Sequence, residues 1–196
     1  MVGKRRVGAE SSETRARIVA AAEQVMRDEG YAAASTRRVA QHAGLQPSLV
    51  HYYFPTTDDL FLEVFRQGAA LSDAMIDAAL ASEDPIRGLW DFFSDTSRTA
   101  LTMEFMALAI HRDALRAEIA RHSDAMRARQ AELFERLLGD KLNAIGGPEG
   151  LSVILAGIGR ALVMENGLGV SSGHAEARAI VERWLDRLLA PHNGEK

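Results

Sequence analysis

The stretch STRRVAQHAGLQPSLVHYYF, Ser35 to Phe54, decides the fold. Ser35 is a good N-cap, its hydroxyl able to accept a backbone N–H two or three residues on, so the spacing predicts a short helix over Thr36 to Ala43. Gly44 supplies the left-handed turn after it. Pro47 suits the first turn of a further helix, where its missing N–H would have no partner anyway. That helix ends near Phe54, because Pro55 cannot continue it. Two short helices joined by a glycine-containing turn make a helix-turn-helix when an amphipathic helix braces them. The brace precedes them: Ile18, Ala21, Ala22, Val25 and Met26 share one face of a helix expected from Glu13 to Glu29, and Gly30 stops it.

Charge is distributed to match. The chain of 196 residues carries a net charge of −4. Through Pro55, however, eight basic residues stand against five acidic ones, and the remainder is acidic by seven. A basic end on an acidic chain is a hint of nucleic-acid contact. Cysteine is absent, which excludes disulfides, thiolate zinc sites and cysteine nucleophiles. The first residues hold no apolar core of signal-peptide length, and the run VILAGIG at 153–159 is too short to span a bilayer. The expectation is a soluble cytoplasmic protein without a membrane partner.

Beyond Pro55 apolar residues recur at helical spacing, and alternating strand patterns are missing, so the fold class is all α. Thr56 and Asp59 form a capping signal for a long helix bearing Leu60, Phe61, Val64, Phe65, Gly68, Leu71 and Met75. Asp84 and Pro85 open the next helix, with Leu89, Trp90 and Phe93. Helices of about 101–111 and 113–138 follow, then the glycine-rich LNAIGGPEG, then helices of about 149–166 and 175–190. Leu151, Ile154, Leu155, Ile158 and Leu162 share a helix whose other sides are also apolar, which therefore needs cover all round. The last helix repeats Ile180, Val181, Trp184, Leu185, Leu188 and Leu189. Together the two are expected to build a four-helix bundle with a second copy, a two-fold homodimer suited to a palindromic operator.

The second short helix is narrow enough for the major groove of B-DNA. Val39, Ala40 and Val50 are the small apolar positions expected to hold the two helices together. Arg37 has the two parallel donors that match guanine O6 and N7. Ser48 can bond bases or phosphates, and the Tyr52 and Tyr53 hydroxyls reach phosphate oxygens. Phe54 reads as core, and Arg38 as a solvated or phosphate-proximal charge. The basic triplet Lys4, Arg5 and Arg6 is either a minor-groove arm or a plain tail.

From Gly30 to Leu60, GYAAASTRRVAQHAGLQPSLVHYYFPTTDDL resembles the DNA-binding domain of the TetR family of bacterial repressors. The resemblance implies a homodimer with one recognition helix per subunit and a ligand cavity in the larger domain whose filling separates the two heads. It carries Ser35, Thr36 and Arg37 onto positions that touch DNA from the second helix. It places Pro47, Ser48, Leu49, His51, Tyr52 and Tyr53 on the recognition helix. Two residues depart from the pattern. Thr57 stands where a phosphate-gripping lysine is frequent, and Leu49 replaces a small polar residue, which favours contact with a thymine methyl.

The domains expected are a flexible basic tail over 1–12, a three-helix DNA-binding domain over 13–55, and a helical ligand-binding and dimerisation domain over 56–196. In the last, Trp90, Phe93, Met103, Met106 and Met126 could line a cavity for a mostly apolar small molecule. Glu104, His111, His122 and Gln130 could add a polar contact. HRD at 111–113 lies in a helical pattern without a glycine-rich loop, and GLGVSSG follows a helix rather than a strand, so neither supports an enzyme. Six scattered histidines without paired carboxylates give no metal site, and no cofactor is expected. The rival reading is a helical small-molecule-binding protein without specific DNA recognition.

Overall fold

The computed structural model describes residues 3–96 and 99–190, with side chains over 13–96, 101–143 and 145–190. Among the described residues the regular structure is entirely helical. The helices are α1 (Gly3–Glu29), α2 (Thr36–Ala43), α3 (Pro47–Tyr53), α4 (Thr57–Leu80), α5 (Pro85–Ser94), α6 (Thr99–His111), α7 (Asp113–Leu138), α8 (Gly147–Gly167) and α9 (His174–Leu189). Short 3-10 helical segments over Tyr31–Ala33 and Gly139–Ile145 lie between them. Helix α1 starts ten residues before the expected Glu13, since no proline precedes that position to stop it. The side chains of Lys4, Arg5 and Arg6 lie outside the described residues.

The local signals act as their chemistry requires. Ser35 Oγ accepts the Arg38 N–H at 3.3 Å. Thr56 and Asp59 cap α4 reciprocally: the Asp59 N–H reaches Thr56 Oγ1 at 3.1 Å, and the Thr56 N–H reaches Asp59 Oδ2 at 3.0 Å. Asp84 accepts the Arg87 N–H at 3.1 Å ahead of Pro85.

The chain condenses into two compact units. The first comprises 1–71 together with 100–121, and the second comprises 72–99 and 122–196. The expected division at Pro55 is thus not where the compaction changes, because the first unit's core recruits later helices. Ile18, Val25, Met26, Val39, Val50 and Phe54 are joined there by Leu60 and Val64 of α4, Leu101, Phe105 and Leu108 of α6, and Leu115 of α7. Phe65 and Phe105 meet edge to face, ring centroids 5.5 Å apart.

The second unit has its own core: Ile76, Ile86, Leu89, Trp90, Leu133, Phe134, Leu151, Leu155, Leu162, Val181, Leu185 and Leu188. Helices α5 and α8 approach so closely that a Cβ on Gly159 would stand 2.5 Å from the Phe93 carbonyl oxygen, which only glycine permits. A polar pair sits among these side chains, where Ser152 Oγ donates to Gln130 Oε1 at 2.5 Å. Helix α8 as a whole is 21 residues, long and apolar enough to cross a membrane by length and composition, which the short run at 153–159 did not indicate. One of its faces packs in this core through Leu151, Ser152, Leu155, Gly159, Leu162 and Val163, as a core helix does.

Candidate nucleic-acid interface

The α2–turn–α3 unit is fixed from several sides. Gly44 has φ +66° and ψ 37°, a left-handed conformation that costs other residues energy. Its N–H bonds to the Gln41 carbonyl at 3.2 Å, and the Leu45 N–H bonds to the Ala40 carbonyl at 2.9 Å, which closes the C-terminus of α2. Arg17 of α1 adds a charged donor, its NH2 reaching the Ala43 carbonyl at 2.9 Å. At the far end the Phe54 N–H closes α3 on the Val50 carbonyl at 2.8 Å. Val39, Ala40 and Val50 are buried as expected, and so is Phe54, over whose ring the Arg15 guanidinium lies at 5.0 Å. Arg15 also pairs with Glu63, and thereby ties α1 to α4. That bond holds the Glu63 carboxyl below the usual carboxylate range.

The two adjacent arginines part company. Arg38 is bound at both ends of its fork: Nε and NH2 donate to the Glu29 carboxylate at 3.0 and 2.5 Å, and NH1 donates to Gln41 Oε1 at 3.1 Å. The bond lowers Glu29 below its ordinary range and raises Arg38 above its own. Arg37 is exposed and, among the described residues, has neither a hydrogen-bond nor an ion-pair partner. The tyrosines differ too. Tyr52 is 77% exposed, whereas Tyr53 is half-buried against the first core. Their rings meet edge to face at 5.2 Å. Ser35, Pro47, Ser48 and His51 are exposed, while Thr36 and Leu49 are half-buried. The resulting surface offers a free guanidinium, a free phenol and short hydroxyls on a rigid two-helix unit.

Arg17, Arg15 and Glu29 were not legible as parts of this unit. Their partners lie 26, 48 and 9 residues away, beyond any helical repeat, so only the fold pairs them. Thr57 opens α4 beside Asp58 and Asp59, and Asp58 pairs with Arg112 NH1 at 2.6 Å.

The five residues expected to line a cavity divide between the units. Trp90 is buried in the second core, and Phe93 and Met126 pack against it. Met103 and Met106 belong to α6 in the first unit, where Met106 is 40% exposed. Glu104 accepts the backbone N–H of Tyr31, and Gln130 bonds to Ser152. Among the described residues no group of histidines and carboxylates is arranged to hold a metal ion.

Residues 18–64 match the model for bacterial regulatory proteins of the tetR family. The chain is similar to the HTH-type transcriptional regulator BetI 2 of Chromohalobacter salexigens, with 29% identity over 172 residues covering 82% of this chain and 81% of that one. A TetR transcription regulator from Haloarcula marismortui has the same fold, with a TM-score of 0.69 at 19% identity over 90% of this chain and 98% of that one. The multidrug binding protein EbrR, solved in complex with imidazole, superposes with a TM-score of 0.60 at 25% identity over 92% of this chain and 97% of that one.

Proposed function

Because the chain belongs to the TetR family of transcriptional regulators, we propose that it is a dimeric repressor that reads a palindromic operator and releases it on binding an apolar small molecule. The observation that carries the DNA-binding part is the contrast on α2, where Arg38 is consumed by Glu29 and Arg37 is left exposed without a partner among the described residues. A free Arg at a fixed helix position can meet a guanine edge with two donors, and Tyr52 can grip a backbone phosphate. Ser35, Thr36, Pro47, Ser48, Leu49, His51 and Tyr53 complete the proposed contact surface.

Apolar residues left outside the second core support a dimer. Leu151, Leu155, Leu162, Val181, Leu185 and Leu188 are occupied within the chain. Val153, Ile154, Leu168 and Val170 at α8 and its end, and Ile180 on α9, are each 45% exposed or more. Exposed apolar residues on neighbouring elements mark an interaction surface. A two-fold dimer through α8 and α9 carries two heads, and successive major grooves require them about 34 to 36 Å apart.

EbrR supports the ligand reading, since it is described as a multidrug binding protein and spans nearly the whole chain. Within the second unit, Trp90, Phe93 and Met126 are the proposed lining residues. A ligand shifts operator affinity only if it binds one head spacing better than the other. A protein that acts on the chromosome is a cytoplasmic one in a bacterium. The rival, a ligand-binding protein without specific DNA recognition, has Thr57 in its favour, because it stands where a phosphate-gripping lysine is frequent.

A gel shift with DNA from beside the protein's own coding region decides between the two readings. Saturable binding that survives excess nonspecific competitor supports the repressor. Binding lost to competitor supports the rival.

A further inference from the structure

We propose that Glu104 of α6, far outside the helix-turn-helix, is a positioning residue for the DNA-reading helices, acting through the backbone N–H of Tyr31. Its Oε2 accepts that N–H at 2.6 Å across 73 residues of chain. The carboxylate packs against Gly30, where a Cβ would stand 3.6 Å from Oε1, at van der Waals contact. Tyr31 opens the turn between α1 and α2, and its N–H follows the Gly30 N–H that closes α1 on the Met26 carbonyl at 3.1 Å. A carboxylate accepting a backbone N–H makes a charge-assisted bond, stronger than a neutral one.

From Tyr31 the hydrogen bonds run without a break to the reading residues. Ala33 N–H bonds to the Gly30 carbonyl, Ala34 N–H to the Tyr31 carbonyl, and Ser35 N–H to the Ala33 carbonyl at 2.7 Å. Ser35 then caps α2, on which Arg37 stands. The helix that bears Glu104 is itself anchored in the same unit. Leu101, Phe105 and Leu108 lie in the first core, and Arg112 just past α6 pairs with Asp58. A displacement of α6 therefore moves the acceptor of Tyr31, and the corner leading to α2 moves with it or loses its bond.

The operator arm of the test rests on the repressor reading, and the exchange arm does not. Full-length Glu104→Met keeps the bulk and the helical preference but removes the acceptor, while Glu104→Gln retains a carbonyl oxygen. Amide exchange resolved to single residues reads the bond directly. In the parent, Tyr31 should exchange at least tenfold more slowly than the unstructured rate. Glu104→Met should remove that protection, with the α2 and α3 amides unchanged, and should weaken operator binding at least fivefold. Glu104→Gln should stay within threefold of the parent in both. A merely structural carboxylate would lower the Tm of Glu104→Met without changing the operator affinity of the folded protein, and that result would overturn the proposal. So would parent Tyr31 exchanging at the unstructured rate, a measurement that decides even where Glu104→Met does not fold. A parent that binds no operator overturns the repressor reading instead, and leaves the Glu104–Tyr31 bond to be judged by exchange alone.

Discussion

Arg37→Ala removes a guanidinium with no partner among the described residues, so its effect on folding and its effect on DNA binding should separate. An exposed side chain without structural contacts changes stability by no more than about 0.5 kcal/mol when truncated. A bidentate contact to guanine discriminates by about 1–3 kcal/mol. A dimer presents two such residues to a symmetric site, so the expected loss is about 2–6 kcal/mol, from roughly thirtyfold to above ten-thousandfold in Kd at about 1.4 kcal/mol per decade. Fluorescence anisotropy against an operator series with one base pair altered in each half-site measures both the loss and its position. Preference should relax at one base pair per half-site, while the Tm stays where it was. Arg38→Ala is the internal comparison: it breaks the bonds to Glu29 and Gln41, so stability should fall and base preference should remain. Unchanged affinity and unchanged preference in Arg37→Ala would refute the assignment of Arg37 as the reader.

Other substitutions probe the remaining parts. Tyr52→Phe removes a hydroxyl from a side chain that is 77% exposed, so every DNA sequence should be bound more weakly by a similar factor, with no change in urea denaturation. Ile154→Asp puts a charge into the proposed dimer face, and sedimentation should show monomer; a dimer that persists would place the interface elsewhere. Gly159→Ala forces a Cβ to within 2.5 Å of a backbone oxygen, and urea unfolding should show a loss of about 1–3 kcal/mol, as overpacked cores do. Because Arg15 holds the Glu63 carboxyl below its ordinary range, the unfolded chain takes up that proton more readily than the folded one. The pair's contribution is therefore complete above the unfolded value, about pH 4.3, and is lost as pH falls through the folded one. Glu63→Gln should be less stable than the parent at pH 7, with the gap closing in acid. A gap independent of pH would mean that the pair contributes nothing through charge.

The sequence by itself determined what is decided within a few residues of chain. Ser35, Gly44, Pro47, Pro55 and the Thr56–Asp59 pair fixed where helices begin and end, because caps, left-handed turns and prolines act through backbone groups one to four positions away. The identity of Val39, Ala40, Val50 and Phe54 as packing residues followed from the same short-range geometry. Tertiary structure alone decided everything that depends on which distant side chain comes to lie alongside. Arg37 and Arg38 are chemically identical neighbours, and only Glu29 across the α1–α2 corner makes one free and the other bound. Helix α8 is apolar nearly all round, so its periodicity gave no face, and it is the covering of Leu151, Leu155 and Leu162 that leaves Val153 and Ile154 exposed. Pro55 marks the end of a helix, yet the first compact unit continues to Leu71 and takes in 100–121. A proline breaks hydrogen bonds locally, but a compact unit ends only where apolar surface stops being buried, and that surface is completed by Leu101, Phe105, Leu108 and Leu115 from much later in the chain.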